Sequence, residues 1–558
     1  MSKTKDNNYN KVSVLIVGAG PAGLATAIQL KAEKPDLDVC VMEKSADLGN
    51  HNLSGAVLEA EPLHTLLNSA VPGWQDSDAA KQVLASKIDK DDVMFLLGKR
   101  LSFNIFFMLK LAGMFKLGFG QMIHMGDYSV SISRLTKWLG QIARDLGAEV
   151  LTGFAAEDII LDESANCATA VKLADQGLDK QGNKQPNFVE GELIKADFIV
   201  LAEGCDGLLT EKFVEKANLQ RQTPQLYSVG VKELIKVSKK QYDKFTSGRV
   251  VHAMGFPIWT PFIGPGMFGG GIVYAGVKEH LSVGMIVGAD WKYCDFNPQD
   301  ALTLFKEHRF VKKFIQGGTV VEAGAKMIPE GGYYAIPRDA QTGAIGKANV
   351  MILGDSAGFV NMLKIKGLHN AIDSGISAAK AISRSLDEPE QAASVYTELI
   401  EQSNVAAEMK SAMNYRQVIA KFGPLQGLPI SVFGRLLPKF KIECDYEAMT
   451  TAQYRFKPNQ QFDKDTFTAV AATEHREEQP SHLSILDTNI CAEKCTPKFG
   501  SPCITFCPAG VYETISGQVK PANPSNCLHC KTCQRKCPFD NIRWTVPEGS
   551  GGPRYKRM

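Results

Sequence analysis

An α/β fold built around a mainly parallel sheet is predicted by three features of the 558-residue chain. Near the start, an apolar strand runs at once into a glycine-rich turn and a helix. More than 300 residues later a second apolar strand ends in Gly-Asp. Eight of the thirteen cysteines fall between Cys491 and Cys537. At about 150 residues per domain the length predicts several units. With 44% hydrophobic and 22% charged residues, the composition is ordinary for globular proteins. That excludes a disordered chain, a collagen-like chain and a multi-span membrane protein. A net charge of +2 offers no global basic field for nucleic acid.

Val12–Val17 is short, β-branched and apolar, as a buried parallel strand should be. About a dozen polar residues precede it, without a signal-peptide pattern, so an intracellular setting is expected. The strand enters Gly18-Ala19-Gly20-Pro21-Ala22-Gly23. A helical segment, Ala22–Ala32, and a second strand, Asp38–Glu43, follow. Each glycine has a mechanical task. Gly18 makes the tight turn, Gly20 admits a pyrophosphate, and Gly23 lets helix and strand pack closely. The helix N-terminus faces the phosphates. Glu43, 20 residues past Gly23, is placed to hold ribose hydroxyls. A glycine-rich turn without a ligand is the competing reading.

The loop alone leaves NAD and FAD open. Asn349–Gly358 (NVMILGDSAG) resembles the second FAD motif of flavoproteins of the glutathione-reductase and hydroxylase type, with Asp355 at the ribityl or pyrophosphate region. A helix N-cap is the plainer role for Asp355. Two nucleotide-facing motifs so far apart favour one extended cofactor, FAD. Phe198–Gly207 is a third strand-then-glycine junction. Arg134 sits where such flavoproteins often place an arginine near FAD; a surface arginine at a helix start is the alternative.

The tail reads Cys491-x3-Cys495-x7-Cys503-x3-Cys507-Pro508, then Cys527-x2-Cys530-x2-Cys533-x3-Cys537-Pro538. The second run has the ferredoxin spacing. There, three close cysteines and the Cys-Pro cysteine of the other half wrap one [4Fe–4S] cluster. One cluster then takes Cys507, Cys527, Cys530 and Cys533. The swapped set, Cys491, Cys495, Cys503 and Cys537, suits a second cluster, although its spacing is stretched. Structural zinc and disulfides are the alternatives. Clusters carry single electrons and FAD carries two, so electron transfer is expected, with no catalytic triad.

Val93–Gly126 and Met409–Ile442 contain no acidic residue. Within Leu101–Ile123, 15 of 23 residues are apolar, and Lys110 and Lys116 interrupt them. Phe422–Phe440 carries Arg435 and Lys439 among apolar residues. Neither stretch is clean enough to span a bilayer. Both suit a segment lying in the membrane interface with its basic residues at the head groups. A buried core or a dimer surface is the alternative.

Together the chain resembles the electron transfer flavoprotein–ubiquinone oxidoreductase family over nearly its full length. The resemblance rests on GAGPAG (Gly18–Gly23), HNLSGA (His51–Ala56), AEGC (Ala202–Cys205), KIKGLH (Lys364–His369), FCPAGVYE (Phe506–Glu513), NCLHCKTC (Asn526–Cys533) and VPEGSGGP (Val546–Pro553). It implies an FAD-binding Rossmann-like α/β domain, an α+β quinone-binding domain and a C-terminal ferredoxin-like [4Fe–4S] domain on one monotopic protein. The expected division is 1–90, 127–225 and 341–415 for FAD, 226–340 for quinone, 91–126 and 416–442 for the membrane, and 443–558 for iron–sulfur. It implies electrons arriving from reduced electron transfer flavoprotein and leaving to a membrane quinone, ubiquinone or menaquinone. It assigns Gly269 and Gly270 to the quinone head group and Thr473 to the flavin's surroundings. Lys44, Ser54 and Gly55 are counted with Gly18, Gly20, Pro21, Ala22, Gly23 and Glu43 among the expected FAD contacts. The implied place is the cytoplasmic face of a bacterial inner membrane, or the matrix side of the mitochondrial one. Cys491, Cys495, Cys503 and Cys537 depart from the animal pattern. They resemble the ferredoxin-like subunit of electron-bifurcating flavoprotein systems, which makes a subunit of such a complex the main competitor. A prenyl-lipid reductase, which needs no ferredoxin tail, is the weaker one.

Overall fold

Strand Lys11–Val17 is buried without a break from Val14 onward, which accounts for its unalternating apolar sequence. It pairs in parallel with Leu193–Leu201 on one side and Val39–Glu43 on the other. Val350–Ile352 and Glu149–Thr152 extend the parallel run outward. Gly346–Lys347, Ala168–Leu173 and Ala156–Leu161 add antiparallel pairs, completing eight strands. The computed structural model describes residues 11–53, 55, 57–114, 121–162, 167–261, 266–460 and 462–558.

Three of these strands, Val350–Ile352, Leu193–Leu201 and Lys11–Val17, are immediate neighbours. Their carboxyl ends carry the three glycine junctions noted in the sequence. Parallel pairing thus gathers motifs far apart in the chain onto one edge, where ligands of such sheets bind. Helices Pro21–Glu33 and Leu368–Arg384 cross one face. They approach so closely that a Cβ on Gly375 would lie 2.4 Å from the Ala22 carbonyl oxygen.

A second sheet has seven strands, in the order Thr319–Pro329, Tyr227–Lys236, His280–Gly288, Gly269–Val277, Arg249–Gly255, Lys90–Leu97 and Leu101–Asn104. The last two fall mostly within the stretch 91–126. The front of that stretch is sheet, because Lys90–Leu96 pairs in parallel with Arg249–Gly255 and its backbone groups are satisfied there. Leu101 and Phe103 of the edge strand and the following helix, Phe106–Met114, present apolar side chains outward.

The tail, with strands Leu483–Ile485 and Ile542–Trp544 and a hairpin at Tyr512–Pro521, does not hang free. Its apolar residues share one core with the second sheet. Trp291 meets Phe506 edge-on at 5.9 Å. Buried Lys536 donates to the carbonyls of Trp291 and Asp445 at 2.7 and 3.0 Å. The carbonyl of Met558 accepts from Ser131 Oγ and the Ser133 N–H, tying the last residue to the first domain.

Candidate functional site

A large cavity opens at the glycine junctions. Gly18, Gly20, Pro21, Ala22, Glu43, Lys44, Gly55 and Asp355 all line it. Three glycines of the loop meet three different demands. Gly18 has φ +105°, and a Cβ there would lie 2.3 Å from the Ala202 oxygen. At Gly23 a Cβ would lie 2.1 Å from the Gly18 oxygen. At Gly20 a Cβ would meet nothing within 4 Å, so the loop leaves open space there on the cavity wall. Glu43 accepts the Ala19 N–H at 3.1 Å and the Ser45 N–H at 2.9 Å, which fixes the loop.

Lysines 44, 232, 326, 366 and 531 also face this cavity. Burial pushes Lys44 down to about 7, with Lys531 and Lys326 adding repulsion. Burial likewise lowers Lys232 to about 7 and holds Lys326 below the lysine range. Asp355 is pushed up to about 6 by burial. Cations so desolvated suit an anionic ligand, which would restore their charge. Bare glycine, helix N-terminus and cations together fit a dinucleotide such as FAD.

Two smaller cavities lie in the tail. One is lined by Cys507, Cys527, Cys530 and Cys533, the other by Cys491, Cys495, Cys503 and Cys537. None of the eight is in a disulfide. Burial first, then neighbouring thiols, pushes Cys495 and Cys533 up to about 12. Thiols so crowded become ligands only when a cation takes their protons' place. Donors already point at the sulfurs: Thr532 Oγ1 at Cys530 (3.4 Å), the Asn541 N–H at Cys537 (3.3 Å) and Asn541 Nδ2 at Cys491 (3.4 Å). Each quartet surrounds a void, as an iron–sulfur cluster requires. Lys531 lines both the inner quartet's cavity and the large cavity, so one residue separates them.

A fourth cavity is almost wholly apolar and contains Gly269 and Gly270 in its wall. It shares Ile272, Ile286, Met362 and Ile365 with the large cavity. Its glycines have a reason within the sheet: a Cβ on Gly269 would lie 2.0 Å from the Ile286 oxygen, and on Gly270 2.5 Å from the Ala253 oxygen. Pro424 and Leu428, on helix Tyr415–Ser431, line it from outside. Val93, Met122 and Ile365 of its wall pack against Leu109 of helix Phe106–Met114. Both helices turn large apolar side chains outward, Phe107 on the first and Phe422 and Leu425 on the second, and Leu436, in a short turn just past the second, is more than three-quarters exposed, as is Phe107. Among the described residues no helix is long and apolar enough to cross a membrane.

Several expected residues fall elsewhere. Arg134 is not on the wall of the large cavity. It stands in the first turn of helix Ile132–Asp145, where the Ser131 hydroxyl caps its N–H, and Ile132 takes the lining position. Gly23 serves packing rather than lining. Thr473 lies off the wall, although its hydroxyl is buried without a partner. Ser54 and Lys116 lie outside the described residues. The cavity lysines 232, 326 and 531, and His252 beside Gly270, were missed. A lone lysine or histidine in a strand carries no local signal of what it faces.

The ubiquinone-binding model of electron transfer flavoprotein–ubiquinone oxidoreductases matches residues 227–328, and the 4Fe-4S model of the same family matches 459–556. A Thi4 family model matches 2–63. The electron transfer flavoprotein–ubiquinone oxidoreductase of Arabidopsis thaliana mitochondria is 35% identical, over 98% of this chain and 84% of its own. The Pseudomonas aeruginosa protein of that name is 32% identical, over 99% of this chain and 100% of its own. Among solved structures, a geranylgeranyl bacteriochlorophyll reductase-like protein of Thermoplasma acidophilum superposes with TM-score 0.51 at 16% identity, covering 76% of this chain and 96% of that one. A flavin-dependent halogenase gives TM-score 0.51 at 17% identity, covering 76% and 68%. At those identities the likeness is one of fold.

Proposed function

Because the chain belongs to the electron transfer flavoprotein–ubiquinone oxidoreductase family, we propose that it passes electrons from reduced electron transfer flavoprotein to a quinone drawn from a membrane surface. It is an oxidoreductase with an FAD-type fold, a quinone-binding domain and a 4Fe-4S domain. The observation that carries the reading is the order of the cavities. The inner thiol cavity meets the large cavity at Lys531, and the large cavity meets the apolar one across four apolar side chains. When bound, FAD can take and release two electrons singly, and iron–sulfur clusters move them one at a time.

The chain's own residues divide the remaining work. Gly18, Gly20 and the N-terminus of helix Pro21–Glu33 receive the pyrophosphate, and Glu43 braces the loop for the ribose. Lys44, Lys326 and Lys531 offer positive charge along the cofactor. Cys507, Cys527, Cys530 and Cys533 hold one cluster; Cys491, Cys495, Cys503 and Cys537 hold a second. Gly269 and Gly270 border the quinone cavity. Ile272, Ile286, Met362 and Ile365 keep water from between donor and acceptor. Helices Phe106–Met114 and Tyr415–Ser431 seat the cavity mouth in the bilayer, with Lys110 and Arg435 toward anionic head groups.

Iron and acid-labile sulfide near eight of each per chain are expected for two clusters; about four would leave one quartet empty. The purified, fully loaded chain is expected to reduce a soluble quinone when supplied with reduced electron transfer flavoprotein. Failure to do so would leave the second quartet as the observation favouring a subunit of a larger bifurcating complex.

A further inference from the structure

Reduction of a quinone needs two protons as well as two electrons, and the apolar cavity offers few groups to deliver them. Among its lining residues the ionisable ones are His252 and Tyr415. Burial holds the Tyr415 hydroxyl far above the phenol range. His252 sits in mid-strand, opposite Val93 on one neighbour and Ile272 on the other. It is 5% exposed, and its Nδ1 has no hydrogen-bond partner. An imidazole buried and unpartnered in an apolar wall is costly unless a ligand completes it.

Behind His252 stands a second ring. His124 stacks on it with centroids 4.4 Å and planes 19° apart. The His124 backbone N–H donates to Asp91 Oδ2 at 2.7 Å, and its Nδ1 lies 3.1 Å from the same oxygen. Its Nε2 lies 3.2 Å from the Lys364 carbonyl oxygen. Both ring nitrogens therefore face oxygen atoms, which fixes the plane of the ring. Lys364 and Lys366 continue outward. Lys366 pairs with Glu59 at 2.8 Å and with Asp127, and Lys364 pairs with Glu59 at 2.9 Å. Glu59 and Asp127 are partly exposed, so this charged cluster joins the buried rings to water.

We propose that His252 donates protons to the quinone in this cavity, with Asp91 and His124 as positioning residues that hold its ring. This rests on the reading of the cavity as the quinone site. The electrons are those of the reaction already assigned. As a quinone oxygen gains electron density, an N–H bond of His252 breaks and an O–H bond forms on that oxygen. The imidazole takes up a replacement proton from water, and a second transfer completes the quinol. With no quinone present, burial and the His124 ring hold His252 down to about 3; Lys366 opposes its charge and Asp91 favours it. An oxygen turning anionic beside the ring reverses that balance. A metal ion is the rival use of these three residues, whose ligand atoms lie within 4.8 Å of one another. Stacked, nearly parallel rings aim their lone pairs along parallel planes and not at one point.

The test uses the full chain with its flavin and clusters. His252→Gln is expected to lower reduction of a short-chain soluble quinone by about 100-fold, the usual scale for losing a general acid. Reduction of ferricyanide, which takes electrons without protons, should stay within about twofold. Binding of a quinone analogue without turnover, read by tryptophan fluorescence, should change less than about threefold, well under that loss. The wild type should slow in D2O and with rising pH; both trends should vanish in the variant. His124→Gln should displace the pH profile and leave analogue binding alone. An unchanged quinone rate, or equal loss with quinone and ferricyanide, would overturn the proposal. So would one zinc per chain, held by the wild type and released by both variants. Leu428→Trp, which fills the cavity from outside, tests the premise separately: quinone reduction surviving that change would sink the cavity assignment, whatever His252 does.

Discussion

The glycine-loop cavity and the apolar cavity meet across Ile272, Ile286, Met362 and Ile365, yet among the described residues five lysines line the first and a single imidazole is the only histidine, lysine or acid in the second. The contrast follows from how long each ligand stays. A resident anionic cofactor offsets the desolvation of buried lysines permanently, so they are tolerated. On the function proposed above, a substrate entering from lipid and leaving again would be given no ionic hold. It would find apolar walls, close-packed sheet glycines and one neutral donor.

Four changes would break or sharpen that contrast. The largest effect is expected at Arg416, which braces both cavities. It pairs with Glu330, on the wall of the first, at 2.8 Å and with Asp290 at 2.7 Å, and it stacks on Phe268, on the wall of the second, at 4.5 Å. Arg416→Met strands the buried Glu330 carboxylate and the part-buried Asp290 and should cost about 3–5 kcal/mol, read from the denaturant midpoint of the holoprotein. Next is Gly20→Val, which places a side chain in the space a cofactor would fill. It should lower FAD affinity by roughly 10- to 100-fold, equivalent to about 1–3 kcal/mol of overpacking, with the apoprotein's melting temperature unmoved. Equal FAD content in mutant and wild type would remove the cofactor from that loop.

Acid should act through the neutral histidines. His252 and His482 are held down to about 3, in each case by burial and then by a neighbouring histidine. The unfolded chain binds their protons near pH 6.5, the ordinary imidazole value. Between about 6.5 and 3 unfolding therefore takes up protons, so their contribution to stability is full above about 6.5 and falls as pH drops toward 3. Denaturant midpoints at pH 7 and pH 5 should differ less in His482→Phe than in the wild type. The smallest effect belongs to the surface. Phe107→Asp or Leu436→Asp should weaken binding to anionic liposomes several-fold while leaving reduction of a soluble quinone unchanged. Co-sedimentation reads the first and a steady-state assay the second. Undiminished binding would assign those side chains to a protein contact.

Much of the first cavity was legible because its makers are local. Gly18-Ala19-Gly20 must turn, leave space and start a helix within a few residues, and strand, helix and terminal acid advertise themselves in order. The cysteine quartets were legible for a similar reason, since thiol spacing in a ferredoxin-like tail encodes which sulfurs share a cluster. The apolar cavity was scarcely legible. Its glycines came from resemblance, and His252 reads as one more strand residue until Val93 and Ile272 are seen beside it. Arg134 was ambiguous because a helix start and a cofactor contact look alike in one dimension.

The sequence by itself determined the nucleotide loop, the sulfur ligands and the apolar stretches, since each depends on spacing within one short segment. Tertiary structure alone decided which lysines crowd the cofactor cavity, that residues 90–97 join a sheet instead of a membrane surface, and that Asp91, His124 and His252 stand together. The physical reason is that strand pairing brings residues into contact from far along the chain, and no local pattern records the partner across a ladder of backbone hydrogen bonds.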